Sequence, residues 1–533
     1  MKVARIPYTS LPGTTPLFAD LLYNFERVAK FYPHQPSLDS VAAAVAGIAY
    51  PDERRSRVVA ALREQNRSAG DATQENLNRL ARPETVVVAT GQQVGLFGGP
   101  IFSVFKALTA AKHAADLRQR GISAVAVFWL ATEDHDLAEV DHAWLFDADG
   151  EPRLAEGKAQ LAESAPVGAA KLPSGVTDAL RKAVAGMPNG EAVLRNESEH
   201  YKEGRTLGQA FRGLLEDLLK PHGLIFLDPM DSALRPIAAE LIRKLIDRGD
   251  QAVDLLTTRG KQLDDAGYHR QVAVGSGSSL LFRVSDGRRS VIRRSGDRYL
   301  TEDGAKSATE LGAMIERDPE GFSPNALLRP VVQDYLLPTA VFVGGAAELA
   351  YLAQSAVLYD LLLGRMPVVM PRAGFTLLNG RAAKLMERYQ LDVPGCFIPL
   401  NELQDHIARR ATPAELQQRF DSEGAVIGAA LDRINETLTS FDPTLGEAFQ
   451  RSSSKINYQL AKIQTKAARE SLLRNERSRG DANRLANLIY PQKTLQERLY
   501  CTLPFLAQYG DELLDRVYEA IDSGCLDHQV ITI

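Results

Sequence analysis

The chain has 533 residues, too many for one ordinary domain, and its 45% hydrophobic and 24% charged content is that of a globular protein. Its 62 basic and 67 acidic residues give a net charge of −5, and there is no long basic run, so the charge gives no reason to expect nucleic acid. Cys396, Cys501 and Cys525 are scattered and form no CxxC pair, which argues against a zinc site or a disulfide framework and fits a reducing, cytoplasmic setting.

The N-terminal stretch has no continuous apolar run and reads as carrying no signal peptide. Residues 16–31 read as a helix with Pro16 in its first turn, and 52–82 as a second, more polar helix. "ETVVVAT" (84–90) is a β-branched run that reads as a buried strand. A glycine-rich turn follows, then a helix over 100–120 with Ile101, Val104, Phe105, Leu108 and Ala115 on one stripe. "SAVAVFWLATEDHD" (123–136) reads as a strand running into charge. A helix over 206–220 leads to "LIFLDP" (224–229), and "TAVFV" (339–343) runs into Gly344-Gly345 and a helix over 346–363. "PVVM" (367–370) ends at Pro371-Arg372.

Five apolar strands alternating with helices predict an α/β fold, a Rossmann-like doubly wound parallel sheet. Segments at about 140–200 and 266–320 break the alternation and read as inserted connections. The second is a meander with turn signals at Asp286-Gly287 and Ser295-Gly296-Asp297. The most apolar stretch, 339–364, is interrupted by Gly344, Gly345, Glu348, Gln354 and Asp360, so it reads as buried core and no membrane span is expected. Over 376–491 the chain becomes long, charged and helical. Ile427, Leu431, Ile434, Leu438 and Phe441, then Ile456, Leu460, Ile463 and Ala467, follow a four–three rhythm that predicts an antiparallel hairpin of coiled-coil type. Asp442-Pro443 opens its second arm. The expected division is a core over 1–375, a helical coiled-coil domain over 376–491, and a segment over 492–533 that returns to the core and ends in the strand-like "HQVITI".

Open parallel sheets bind ligands beyond the carboxyl ends of their strands. Those ends carry Thr90-Gly91-Gln92-Gln93, Glu133-Asp134-His135-Asp136, Asp228, Gly344-Gly345 and Arg372. The turn over 91–99, with Gly91 and Gly95, lets backbone amides approach a ligand beside a helix N-terminus, a setting for a carboxylate or phosphate, while Gln92 and Gln93 add neutral donors and acceptors. "EDHDLAEVDH" (133–142) packs carboxylates around His135, which could hold an amine or fix an imidazole as a base. A metal-dependent hydrolase is the rival reading of that cluster, although His135 and His142 stand seven apart and not four. A non-enzymatic scaffold working through the helical hairpin is a third. Arg329, Gln333, Asp334 and Tyr335 precede the fourth strand, and Glu348 opens the helix after it. Lys106, inside the 100–120 helix, reads as a solvated residue.

"TGQQVGLFGGPIFSVFKALTAAK", "VFWLATEDHDLAEVDH" and "LRPVVQDYLLPTAVFVGGAAELAYLAQ" together resemble the bacillithiol biosynthesis cysteine-adding family, BshC. "LFADLLYNFERVAKFYP" and "KTLQERLYCTLPFLAQYG" extend the resemblance over nearly the whole chain, in order. The resemblance implies a Rossmann-like core similar to class I aminoacyl-tRNA synthetases, and a coiled-coil domain associated with homodimerisation. It also implies a ligase that joins the carboxyl group of cysteine to the amine of glucosaminyl malate, the last step to bacillithiol. Activation of cysteine with ATP is a plausible route, and no metal is expected. On this reading His135, supported by Asp134 or Asp136 beside Glu133, handles the proton of the attacking amine. The glycine turn holds an anionic group, and Gln333 and Tyr335 read polar groups of the sugar.

Overall fold

The computed structural model describes residues 2–162, 165–197, 199–285, 288–412, 414–474 and 476–533. Two compact units divide the chain. The larger comprises Val3–Thr376 and Glu497–Val530, and the smaller is built mainly from Leu377–Gln496.

The centre of the larger unit is a five-stranded sheet in the order Val368–Pro371, Thr339–Gly344, Val86–Gln93, Ala124–Ala131, Ile225–Leu227. Every neighbouring pair is parallel. The sequence of these strands explains their place. Ala124–Ala131 is buried at every position and Val86–Thr90 likewise, because helices cover both faces and leave no solvated side to alternate with. Each fully buried valine in this core contributes about 1.5–3 kcal/mol relative to exposure. The first three strands in chain order step to one side. Thr339–Gly344 then pairs on the opposite side of Val86–Gln93, so the winding direction reverses between these two strands. Ligands bind at the carboxyl ends on either side of such a reversal.

Local chemistry refines several boundaries. The first helix is Pro16–Tyr23, capped by the Thr15 side chain, and ends at Asn24 rather than continuing to 31. The polar helix over 52–82 is two helices, Asp52–Gln65 and Asp71–Leu80. The break falls where Asn66 turns its side chain to bond Leu62 O and Phe226 O. The 100–120 helix is Phe102–Gln119, entered through Phe97, Gly98 and Gly99, all at positive φ (52°, 83° and 63°). That run of left-handed residues is what the paired glycines make possible.

The first insertion carries the hairpin His142–Phe146 with Pro152–Glu156. The second forms an antiparallel five-stranded sheet from Ser278–Ser285, Arg288–Ser295, Arg298–Thr301, Gly304–Ser307 and Phe322–Pro324. The Asp286-Gly287 turn lies outside the described residues, whereas Gly296 takes the positive φ expected of its turn. Residues 528–532 form the terminal strand His528–Thr532.

In the smaller unit, Ala414–Phe441 and Pro443–Arg474 pack against each other as a hairpin. Leu431 is buried and Ile427, Leu438, Leu460 and Ala467 are half-buried. Ile434 (47% exposed), Phe441 (84%), Ile456 (44%) and Ile463 (56%) stay open to solvent. Among the described residues no helix is long and apolar enough to cross a membrane.

Candidate active site

A cavity of about 300 Å³ opens at the reversal of the sheet. Gly91, Gln92 and Gln93 at the end of one strand and Gly345 beyond the other form its floor, with Trp129 and Ala131 beside them. Gly91 is required there by contact, since a Cβ on it would stand 2.6 Å from Trp129 O on the neighbouring strand. The helix Ala346–Leu362 begins at this edge, and its Glu348 carboxylate turns back to accept the Gly345 N–H at 2.8 Å, a capping arrangement.

The cavity is divided by charge. On one side Asp134 and Glu139 converge, and the Gln93 Nε2 amide donates to both, at 2.8 and 2.9 Å. Burial alone would raise the Asp134 carboxyl, but the bonds from Gln93 and from the His135 backbone, with the charge of Arg329, outweigh it and hold it below its ordinary range. Asp134 is therefore an anion at neutral pH. On the other side lie Lys106, Arg329, Arg372 and Arg498. Lys106 is only 2% exposed, and its ammonium donates to Gly91 O (2.9 Å), to Gln92 Oε1 (2.7 Å) and to Glu348. Burial pulls it below its ordinary range and Glu348 offsets only part of that. Arg372 makes a bidentate pair with the buried Glu497, at 2.9 and 2.6 Å. Arg329 reaches the Tyr351 hydroxyl at 3.4 Å.

Among the residues expected from sequence, Gly91, Gln92, Gln93, Asp134, Arg329, Gln333, Gly345 and Glu348 meet at this cavity. Others do not. The turn Gly95–Gly99 does not line it. The Gly98 N–H is taken by the Tyr201 hydroxyl at 3.0 Å, a Cβ on Gly98 would touch Leu214, and Gly95 packs on Gly99, so this turn is a packing element and not an anion cradle. Gly344 is a ladder residue whose carbonyl accepts the Arg372 N–H. Tyr335 points to the far side of its helix, where its hydroxyl bonds Glu240 at 2.7 Å under the Arg54 guanidinium, so it reads no substrate here. Asp136 caps the short helix Leu137–Val140 through the Glu139 N–H instead of supporting His135. Glu133 is buried behind the cavity. Burial raises its carboxyl against the opposing charges of Arg235, Arg329 and Arg289.

His135 does not line the cavity but stands next to its Asp134, with its side chain 54% open, its Nδ1 3.5 Å from Asp134 Oδ1 and 3.2 Å from Arg289 Nη1 of the second insertion. A guanidinium only donates, so Nδ1 is the acceptor in that contact and the ring proton lies on Nε2.

Lys106, Phe102, Tyr351 and Arg498 also line the cavity without having been singled out as ligands in the sequence. Lys106 stands four residues after Phe102, one turn on, so the two share the cavity-facing side of that helix. That spacing is the only signal for either. Among the described residues no group of three or more His, Cys, Asp or Glu side chains is placed to hold a metal ion.

Comparison with known proteins agrees over the full length. A family model described as "Bacillithiol biosynthesis BshC, N-terminal Rossmann-like domain" matches residues 1–373, and "Bacillithiol biosynthesis BshC, C-terminal coiled-coil domain" matches 375–533. A Solibacter usitatus protein named "Putative cysteine ligase BshC" is 44% identical over 100% of both chains. Proteins of the same name from Koribacter versatilis and Salinibacter ruber are 37% and 29% identical, over 99% of this chain and 99% and 98% of theirs.

Proposed function

This chain belongs to the bacillithiol biosynthesis BshC family, and from that premise we propose that it is a ligase forming the amide bond between cysteine and the amine of glucosaminyl malate. The observation that supports the reading best is the charge-divided cavity at the reversal of the sheet. A substrate carrying both an ammonium and carboxylates matches it, with the ammonium between Asp134 and Glu139, where the Gln93 amide now sits, and a carboxylate at Arg329. Gln92 and Gln333 offer neutral amides for hydroxyl groups between these ends.

Amide formation needs an activated acyl group and an uncharged amine. Asp134 and Glu139 hold and orient the ammonium. The proton leaves by way of His135 next to Asp134, once the ring releases Arg289 and frees Nδ1. Lys106 and Glu348 keep the floor rigid and place the Gln92 carboxamide. Activation of the cysteine carboxyl by ATP is part of the proposal, since a free carboxylate does not acylate an amine at neutral pH.

The test is a mass-spectrometric assay of the full chain with cysteine and glucosaminyl malate, with and without ATP. Product that requires ATP, with AMP or ADP formed in step, is the expected result. Absence of product under both conditions rejects the ligase assignment for this protein alone. His135→Ala is expected to lower kcat by about 10²-fold or more. Unchanged turnover removes the proton role.

A further inference from the structure

Phe102 is surrounded by cations. Lys106 Nζ lies 5.6 Å from its ring centre, the Arg372 guanidinium 5.1 Å and the Arg498 guanidinium 5.9 Å. Two of the three charges are answered, Lys106 by Glu348 and Arg372 by the bidentate Glu497. Among the described residues Arg498 has no ion-pair partner, although it lines the cavity and sits on an exposed position. Partial burial and then the Arg372 charge hold its guanidinium below its ordinary range, which is the strain expected of a cation among cations. Its neighbour in sequence, Glu497, is fixed from three sides, by both terminal nitrogens of Arg372 and by the Phe375 N–H at 2.8 Å. The backbone that carries Arg498 is thus anchored at the cavity wall while the guanidinium itself is uncommitted.

We infer that Arg498 is an anion-binding, specificity-determining residue of this cavity, taking a carboxylate or phosphate oxygen of the ligand in a charge-assisted contact, and that Glu497 positions it. This rests on the cavity being the substrate site. The oxyanion has two possible sources, a carboxylate of the amine substrate or a phosphate of the nucleotide.

The experiment uses the full-length protein, R498Q and R498K. Binding of L-malate and of ATP is measured separately by calorimetry without turnover, and KM and kcat are then measured for each substrate. R498Q is expected to weaken one of the two anions, and raise the matching KM, by about 10- to 100-fold with kcat nearly unchanged. R498K should recover part of the loss. A carboxylate source shows in the malate arm and a phosphate source in the ATP arm. R498Q binding both as wild type does overturns the inference, as does a wild-type protein that binds neither anion at millimolar concentration. Anion binding lost in R498Q, but with no amide product from the wild type, keeps the inference and removes the ligase reading instead.

Discussion

An ammonium that is 2% exposed persists only when each of its hydrogens has an acceptor, and Lys106 has three: a carbonyl, a carboxamide and the Glu348 carboxylate. Lys106→Met removes the ion-pair partner of Glu348 at the cavity edge. It should destabilise the protein by about 3–5 kcal/mol, read as a lowered denaturation midpoint, and abolish turnover. Adding Glu348→Gln to it should recover part of the stability. Glu497 carries the pH dependence. Burial by itself would raise its carboxyl, but the Arg372 charge and hydrogen bonds prevail and hold it below its ordinary value of 4.5. The unfolded chain then binds that proton more tightly than the folded one. The pair's contribution is full above about pH 4.5 and is lost as pH falls through the folded value. Acid unfolding followed by circular dichroism should show this loss in the wild type and a flatter slope below pH 4.5 in Glu497→Gln. Equal slopes would mean that another carboxylate dominates. Neither residue was legible in the sequence as part of the site. Lys106 reads as solvated because the residue that answers it, Glu348, lies 242 positions later in the chain, and no local pattern encodes that meeting.

Elements were more readable than side-chain directions. The five strands and their parallel pairing follow from apolar runs alternating with helices, and the structure has both, with a cavity at the edge where a ligand was expected. Which side chains turn into the cavity depends on phase. On the helix Arg329–Leu336, Arg329 and Gln333 are four apart and share the cavity side, whereas Tyr335, six from Arg329, lies about 240° round the helix and meets Glu240. The glycines divide in the same way. Gly91 marks a close approach between adjacent strands, while Gly98 and Gly99 mark a change of chain direction and serve packing. Gly91→Ala drives a methyl against Trp129 O and should cost about 1–3 kcal/mol, with reduced substrate affinity because the floor of the cavity shifts. A fully stable and fully active Gly91→Ala protein would show that the strands can part without consequence.

The smaller unit poses its question at the scale of the whole molecule. The four–three rhythm read from the sequence is present, but the hairpin covers five of its nine residues. Ile427, Leu431, Leu438, Leu460 and Ala467 are buried or half-buried, while Ile434 and Phe441, seven apart, and Ile456 and Ile463, also seven apart, remain uncovered. Such a heptad-spaced apolar row suits a second copy of the same hairpin. Light scattering is expected to give a dimer, and Ile434→Asp with Ile463→Asp a monomer with an intact fold. A monomeric wild type at tens of micromolar would reject that assembly. The pairing of Arg372 with Glu497 has a different consequence. The two residues pair where the chain enters and leaves residues 377–496, and the Phe375–Glu497 and Leu377–Gln496 hydrogen bonds join the same ends, so the excursion is a loop closed at its base. Closing a loop depends only logarithmically on its length, with each doubling adding about 0.6 kcal/mol. The cost of closing this loop therefore changes little with the number of residues it holds. Helical arms could lengthen or shorten by whole turns at little added cost to bringing Arg372 and Glu497 together.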